Sequence, residues 1–206
     1  MERLSLARFR SMWFYYLSCF VFRNFLRLFY GLEVYGRDRV PLTGGAVIAG
    51  NHISAFDPPL VGSVLPREVD YMAKKELFER QPVRWVVERL KAFPVDREKG
   101  DTSAIKEALR RLRADTAVGI FPEGTRYAEA GQAFHGAAFL AQRARAPLIP
   151  TAIWREGRAY RVAFGEPIYP EGKSREEMVA LTRALMARVQ ALIPPEAQRS
   201  ESAQSG

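Results

Sequence analysis

The sequence predicts an α/β fold, with one mixed β-sheet flanked by helices in a single domain and an N-terminal helical segment before it. Short apolar runs bounded by turn residues alternate with longer helical patterns, as in sheets covered by helices. The 206 residues are 48% apolar and 26% charged, which suits one globular core. We find neither repeats nor a dividing linker, so we expect an N-terminal segment at 1–32, a folded domain at 33–193 and a disordered tail at 194–206.

Seven short apolar runs are predicted as strands. Prolines lie beside and within the sixth run, at positions 147 and 150, and a proline cannot donate a hydrogen bond to a neighbouring strand. We therefore expect the sixth strand to be irregular or to lie at an edge of the sheet. The predicted strands are Glu33–Tyr35, Gly45–Ala49, Tyr71–Ala73, Phe93–Val95, Ala117–Phe121, Leu148–Ile153 and Arg161–Phe164.

Five helices are predicted in the domain, several with explicit start signals. Asp101 and Ser174 can cap the helices that follow them, and Ser174 with Glu177 fits the capping-box pattern. Pro194 and Pro195 end the last helix. The predicted helices are Asp57–Val64, Glu76–Leu90, Thr102–Ala114, Gly136–Ala144 and Arg175–Ile193.

The N-terminus contains a charge-free run of twelve residues, from Ser11 to Phe22. It is shorter than the roughly 20 residues that a spanning helix needs, and it lacks the small-residue cleavage site of a signal peptide. An aromatic helix with basic ends suits the headgroup region of an anionic bilayer, which we favour over a helix packed into the core. The flanking arginines are Arg8, Arg10, Arg23 and Arg27.

Charge and cysteine content narrow the class of partner and the compartment. A formal charge of +8 implies an anionic partner, such as nucleic acid, acidic lipid, or a phosphorylated substrate with an acidic carrier. The single cysteine, Cys19, excludes an internal disulfide and a cysteine-based zinc site. A protein that faces the cytoplasm fits these features.

The stretch NHISAFDPP places His52 directly after a predicted buried strand, where sites in sheet proteins tend to lie. A separation of five residues brings His52 and Asp57 together only through a turn. Asp57 would then orient the imidazole as a base, and the proton could come directly from a substrate hydroxyl, since no serine or cysteine nucleophile is evident. The alternative is that Asp57 caps a helix and His52 is structural.

Two further segments follow predicted strands and carry groups suited to phosphate. Residues 120–127, IFPEGTRY, offer Glu123, the flexible Gly124, the Thr125 hydroxyl and Arg126, whose guanidinium can bind phosphate at two points. The segment AFPVDRE adds Arg97. The alternative for 120–127 is a strand-to-loop turn with a surface ion pair.

These segments together resemble the PlsC-type glycerolipid acyltransferases, over about residues 33–170. NHISAFD resembles the first family block, KKELF with AFPVDR the second, FPEGTR the third and APLIPTAI the fourth; FHGAAFLA and FGEPI are also similar to family sequences. Lys91 stands where the second block commonly begins with glycine, and Tyr127 where serine commonly follows the third. Lys91 either contacts phosphate or faces solvent, and we favour solvent.

The resemblance implies a glycerol-3-phosphate acyltransferase-like fold and an enzyme that needs no metal or other cofactor. An acyl thioester of acyl carrier protein or coenzyme A would donate its acyl group to the sn-2 hydroxyl of lysophosphatidic acid, giving phosphatidic acid. His52 would be the general base and Asp57 its partner. Arg97, Glu123, Gly124, Thr125 and Arg126 would bind the glycerol phosphate. The enzyme would lie at the cytoplasmic face of the cell membrane, peripheral or monotopic, with no nucleic-acid partner.

Three other functions stay open on the residues alone. A non-catalytic protein that binds anionic lipid would use the basic N-terminus but not the His52 and Asp57 pair. Nucleic-acid binding would use the positive charge, although no recognised module is present. A hydrolase would use His52 to activate water.

Further residues have less specific patterns. Lys74 and Lys75 could contact a phosphate or the acidic surface of a carrier protein, but we favour a position facing solvent. His135 is interpreted as structural. The stripe of Trp85, Val86, Val87 and Leu90 is interpreted as core rather than as an acyl groove.

Overall fold

A seven-stranded sheet with helices on both faces forms the centre of the molecule, in a computed structural model that describes residues 2–54, 56–95, 102–121 and 127–198. The strands are β1 (Leu32–Tyr35), β2 (Ala46–Gly50), β3 (Val69–Lys74), β4 (Ala92–Val95), β5 (Ala117–Ile120), β6 (Leu148–Glu156) and β7 (Ala159–Phe164). The helices are α1 (Glu2–Phe29), α2 (Asp57–Val64), α3 (Val83–Arg89), α4 (Thr102–Arg113), α5 (Tyr127–Ala144) and α6 (Arg175–Leu192). The predicted α/β class is confirmed.

The strand order, β1-β7-β6-β2-β5-β3-β4, puts β2 at the centre of the sheet. Every pair is parallel except β6 with β7, so the sheet is mixed, as predicted. All five residues of β2 are buried, because helices cover both faces. One core layer contains side chains of α4, α5 and α6, and the other contains side chains of α1 and α2.

The sixth strand is a continuous strand of nine residues inside the sheet, so the prediction that it is irregular or lies at an edge was wrong. β6 pairs with β2 on one side and β7 on the other. Its ladder with β7 begins at Thr151, and Pro150 lies just before it, where the Gly165 amide donates to the Pro150 carbonyl. Pro150 therefore removes no hydrogen bond from the ladder between β6 and β7.

The predicted helix over residues 76–90 was also wrong, because the chain breaks at Pro82. A 3₁₀ helix covers Lys75–Phe78, and α3 begins only at Val83, with Pro82 at its N-cap. A proline inside the helix would lose a backbone hydrogen bond and clash with the preceding turn. No residue of α3 is buried, so the interpretation of its apolar stripe as core was wrong.

The last two helices show one confirmed signal and one missed start. At α6, the Glu177 amide donates to Ser174 Oγ, and the Ser174 amide donates to the Glu177 carboxylate, so the capping box is confirmed. Helix α5 begins at Tyr127 rather than at Gly136. After α6, Ala197 is buried and the side-chain amide of Gln198 donates to the Gln190 and Ile193 carbonyls, so the beginning of the segment expected to be disordered packs on α6. Asp101 lies outside the described residues.

Helix α1 packs on the domain with one face and exposes the other. Tyr15 and Leu26 are buried, whereas Trp13 is 63% and Leu28 is 80% exposed. The core-packing alternative is therefore confirmed for one face of α1, and the opposite face is apolar and exposed. Of the helices in the described ranges, none has an apolar stretch long enough to span a bilayer.

Lys91 occupies the turn between α3 and β4 in a left-handed conformation, with φ of 65°. Its ammonium lies 3.2 Å from a Glu68 carboxylate oxygen, so the side chain is paired rather than turned to solvent as we favoured. Glycine adopts positive φ without steric cost, so a glycine would fit this turn without strain.

Replacing Lys91 tests this backbone strain. We expect Lys91→Gly to be about 1 kcal/mol more stable to urea unfolding than Lys91→Ala, because only glycine relieves the left-handed conformation. Both variants lose the ion pair with Glu68, so its contribution cancels in the difference between their unfolding free energies. Equal unfolding free energies of the two variants would show that the turn is not strained.

Candidate active site

The site lies where the central strand β2 ends. Asn51 follows β2 directly; its amide group donates to the Ile153 carbonyl at 2.7 Å and accepts from the Ile153 amide at 2.8 Å. This two-point contact ties the end of β2 to β6. His52, the next residue, is thereby held at the carboxyl end of the sheet, which is where ligands bind in many α/β proteins.

His52 and Asp57 meet through the turn that precedes α2. Nδ1 of His52 lies 2.6 Å from Oδ2 of Asp57, and Asp57 is completely buried. The same carboxylate oxygen accepts from the backbone amides of Ile53 at 2.6 Å and Ser54 at 2.8 Å. Because a carboxylate accepts, His52 Nδ1 carries the proton that is donated, and Nε2 is the nitrogen with a free lone pair.

Asp57 is held by both its position and its neighbours. It is the first residue of α2, where the helix dipole favours a negative charge, and the two prolines that follow it suit a first helical turn, whose amides have no partner within the helix. Its other oxygen, Oδ1, is buried and has no hydrogen-bond partner among the described residues. The turn thus fixes one carboxylate oxygen against the imidazole ring.

An apolar cavity of about 710 Å³ opens beside His52. A cavity of this size with few polar groups is typical of sites for apolar ligands. Helix α1 forms one wall, the beginning of α2 a second, and β3 with α3 a third. The lining includes Phe14, Tyr15, Cys19 and Phe22 from α1, Phe56, Pro58, Pro59 and Gly62 at α2, and Tyr71, Leu77, Val86, Val87 and Leu90 from the third wall.

The thiol and phenol groups in the α1 and β3 walls are uncharged near neutral pH. Burial raises the pKa of the Cys19 thiol and of the Tyr15 hydroxyl above their ordinary values. It raises the pKa of Tyr71 well above its ordinary value, and the Tyr71 hydroxyl has no hydrogen-bond partner within the described ranges. These three side chains therefore present no charge to a ligand; the other ionisable residue in these two walls is Lys74, at the end of β3.

The segments predicted to bind phosphate lie outside the described residues, but the strands before them are placed. Arg97, Glu123, Gly124, Thr125 and Arg126 are all in those segments. β5 pairs in parallel with β2, and the ring of Phe121, directly after β5, lies 6.3 Å from the His52 ring. The chain therefore leaves β5 beside His52.

The remaining sequence candidates have other surroundings. Lys74 lines the apolar cavity. His135 lies 3.3 Å from the Thr182 hydroxyl, between α5 and α6, which agrees with a structural role. In the part of the chain that the structure describes, no group of three His, Cys, Asp or Glu side chains is placed to hold a metal ion.

Sequence reasoning missed two features of the site. It treated Asn51 only as a turn residue, although its partner Ile153 lies on a strand 102 positions away. It also missed the cavity, whose walls come from α1, α2 and α3. The apolar stripe of α3 was the available signal, but it was assigned to the core.

Comparisons with known proteins agree with this geometry. A family model described as Acyltransferase matches residues 31–154. The 1-acyl-sn-glycerol-3-phosphate acyltransferase of Bacillus subtilis (strain 168) is 35% identical over 176 residues, which cover 79% of this chain and 88% of that protein. The human 1-acyl-sn-glycerol-3-phosphate acyltransferase beta is 33% identical over 132 residues, covering 60% of this chain and 47% of that protein.

A solved structure shows the same fold. The crystal structure of the 1-acyl-sn-glycerophosphate acyltransferase PlsC from Thermotoga maritima aligns with a TM-score of 0.68 and 23% identity, covering 93% of this chain and 89% of that one. The resemblance found in the sequence blocks is thus confirmed by the family match and by the identity to the Bacillus subtilis protein. The chain belongs to the acyltransferase family and is an O-acyltransferase.

Proposed function

We propose that this enzyme transfers a fatty acyl group from an acyl thioester to the sn-2 hydroxyl of 1-acylglycerol 3-phosphate, giving phosphatidic acid. The observation that carries the proposal is the His52 and Asp57 pair at 2.6 Å, beside an apolar cavity of about 710 Å³. The names of the relatives, which are 1-acyl-sn-glycerol-3-phosphate acyltransferases, support this choice of acceptor.

His52 acts as the general base in this proposal. Its Nε2 takes the proton of the acceptor hydroxyl, and the oxygen attacks the thioester carbonyl. Asp57 holds the imidazole in the required tautomer and stabilises the imidazolium that forms. As the carbon–sulfur bond breaks, the imidazolium returns its proton to the leaving thiolate. The proton taken from the hydroxyl thus ends on the thiol, and the reaction needs no covalent enzyme intermediate. No metal or other cofactor takes part in these steps.

The acceptor phosphate is assigned to the segments that follow β4 and β5. We propose that Arg97, Glu123, Gly124, Thr125 and Arg126 form this subsite, with the two arginines contacting phosphate oxygens. The placement of Phe121 beside His52 supports the assignment, because the chain continues from it directly into residues 122–126. Lysophosphatidic acid would then bring its hydroxyl to His52.

Arg126→Ala tests the phosphate assignment. We expect the KM for lysophosphatidic acid to rise by about tenfold or more while kcat changes little, because the arginine binds a charge that is present before and during the reaction. Steady-state kinetics with the acceptor as the varied substrate measures both constants. A fall in kcat alone would contradict a binding role.

The acyl chain of the thioester is assigned to the apolar cavity. Gly62 lines it, and a Cβ at this position would lie 3.1 Å from the Tyr71 hydroxyl and 3.4 Å from the Tyr15 hydroxyl. Gly62 is therefore closely packed against two side chains of the cavity wall. A side chain at Gly62 would take space from the chain that the cavity holds.

Gly62→Val is expected to shift the enzyme toward shorter acyl donors. The ratio of kcat/KM for a long-chain to a short-chain acyl thioester should fall by about tenfold, since each methylene left unburied loses about 0.8 kcal/mol. Activity with the short donor serves as the control for folding. An unchanged ratio in an active variant would remove the acyl chain from this cavity.

We further propose that residues 1–32 associate with the cytoplasmic face of the cell membrane, ahead of an acyltransferase domain at 33–193 and the tail at 194–206. The exposed apolar face of α1 supports this, with Trp13, Phe20 and Leu28 open to solvent. Phe56, 61% exposed next to His52 in the cavity lining, extends the apolar surface. Both lipid substrates could then reach the site from the bilayer.

An assay of the purified protein in detergent tests the proposal. Acyl carrier protein and coenzyme A thioesters are supplied in turn with lysophosphatidic acid, and both thiol release and phosphatidic acid are measured. We expect phosphatidic acid to form in step with thiol, and the preferred thioester identifies the donor. Free fatty acid without acylated acceptor would indicate a hydrolase, and absence of thiol release with either donor would contradict the proposal.

A further inference from the structure

A second cavity, of about 370 Å³, lies between α1 and the edge of the sheet. Three arginines line it, Arg23 and Arg27 from α1 and Arg37 from the 3₁₀ turn after β1. None of its lining residues belongs to the apolar cavity beside His52. We call it the arginine cavity.

The positive charge of the arginine cavity is not balanced from within. Glu33 is the one carboxylate in its lining; one of its oxygens lies 3.2 Å from Arg161, and the other accepts from the Tyr35 hydroxyl. Within the described ranges, the side chains of the three lining arginines make no ion pair and no hydrogen bond. The cavity therefore offers three guanidinium groups to a ligand.

The Nε of Arg23 is buried and has no acceptor among the described residues. A buried donor without a partner is costly, so most such groups in proteins meet an acceptor. Phosphate oxygens are strong acceptors, and a guanidinium binds them with two parallel hydrogen bonds. Strand β1 supplies the other wall, and as the first strand of the sheet order it has one backbone edge without a partner strand.

The surroundings of the arginine cavity are suited to a lipid rather than to a small soluble anion. Arg23 and Arg27 are four residues apart, so they lie on one line along α1. The Arg23 guanidinium lies 5.9 Å from the ring of Phe20, which is 56% exposed. Phe20 belongs to the exposed apolar face of α1. A headgroup in the cavity would therefore leave its acyl chains beside that face.

We propose that the arginine cavity binds the phosphate of a membrane phospholipid that is not a substrate and that anchors α1 at the bilayer surface. The site goes beyond the acyl-transfer chemistry, because it is separate from the His52 cavity. It adds to the proposed membrane association of α1 a specific contact with a phosphate group.

Vesicle binding by the full chain tests the site, with variants that keep the charge. The combined change Arg23→Lys, Arg27→Lys and Arg37→Lys preserves three positive charges but removes the two-point guanidinium geometry. The matched control changes Arg113→Lys, Arg183→Lys and Arg188→Lys, on α4 and α6, the helices that cover the opposite face of the sheet from α1. Co-sedimentation with phosphatidylglycerol vesicles gives the affinity.

We expect the cavity variant to bind about tenfold more weakly than the wild type and the control variant to bind as the wild type does. Arg37→Lys alone, which leaves α1 intact, should show part of the loss. Equal binding by the cavity variant, an equal loss in the control variant, or no vesicle binding by the wild type would overturn the proposal.

A competition experiment with soluble phosphate compounds distinguishes a lipid headgroup from a soluble anion as the ligand of the cavity. Inorganic phosphate and glycerol 3-phosphate are added as competitors, and we expect neither to displace the wild type from vesicles at concentrations where added lipid does. Strong binding of either compound, lost in the cavity variant, would overturn the lipid assignment in favour of a soluble anion. Because the readout is binding, a failure of the proposed acyl-transfer reaction would be recognised separately.

Discussion

His52→Ala is expected to lower kcat for acyl transfer by about a thousandfold, with little change in the KM for either substrate. A positioned general base contributes roughly 10² to 10⁴ in rate, and alanine leaves no group to take the hydroxyl proton. Nδ1 of His52 is bound to Asp57 at 2.6 Å, so the other ring nitrogen performs this step in the proposed mechanism. Thiol release under saturating substrates measures the effect.

The second histidine of the chain provides the matched control. His135 contacts Thr182 between α5 and α6 and does not line the His52 cavity. His135→Ala should therefore keep kcat near that of the wild type, even if the loss of the contact reduces stability by about 1 kcal/mol. Equal losses in the two variants, or full activity of His52→Ala, would contradict the assignment of the base.

Asp57→Asn and Asp57→Ala are expected to separate the charge of this residue from its hydrogen bonds. An asparagine oxygen can still accept from the Ile53 and Ser54 amides, but it cannot stabilise an imidazolium by charge. We expect Asp57→Asn to lose about a hundredfold or more in kcat with little loss of stability. Steady-state kinetics and urea unfolding measure the two effects.

Asp57→Ala should lose at least as much activity and should also unfold more easily. It leaves two backbone amides without their acceptor, which costs about 1–3 kcal/mol for each one that stays buried. Asp70→Asn serves as the control, because Asp70 is also buried but pairs with Arg111 away from His52. We expect that variant to lose stability and to keep the kcat of its folded fraction. A loss of turnover as large as in Asp57→Asn would show that the effect is not specific to the site.

The site illustrates which features are accessible to sequence reasoning. The turn from His52 to Asp57 is local, with turn residues and prolines inside a nine-residue stretch, and α2 was predicted with the bounds that it has. The capping box at Ser174 is local in the same sense. The break before α3 was missed although Pro82 lies within the predicted helix Glu76–Leu90.

Local patterns in the chain were sufficient for the α/β class and for most strands, because hydrophobic periodicity and turn chemistry act over a few residues. They allowed the pairing of His52 with Asp57, which the family resemblance then favoured over a structural role. The position of β6 inside the sheet, the contact of Asn51 with Ile153 and the two cavities depend on elements that are distant in sequence. An apolar stripe such as that of α3 has the same sequence pattern whether it faces a core or a cavity. Only the packing of α1, α2 and α3 against one another shows that the stripe of α3 faces a cavity rather than a core, because an enclosed space forms only where several elements meet.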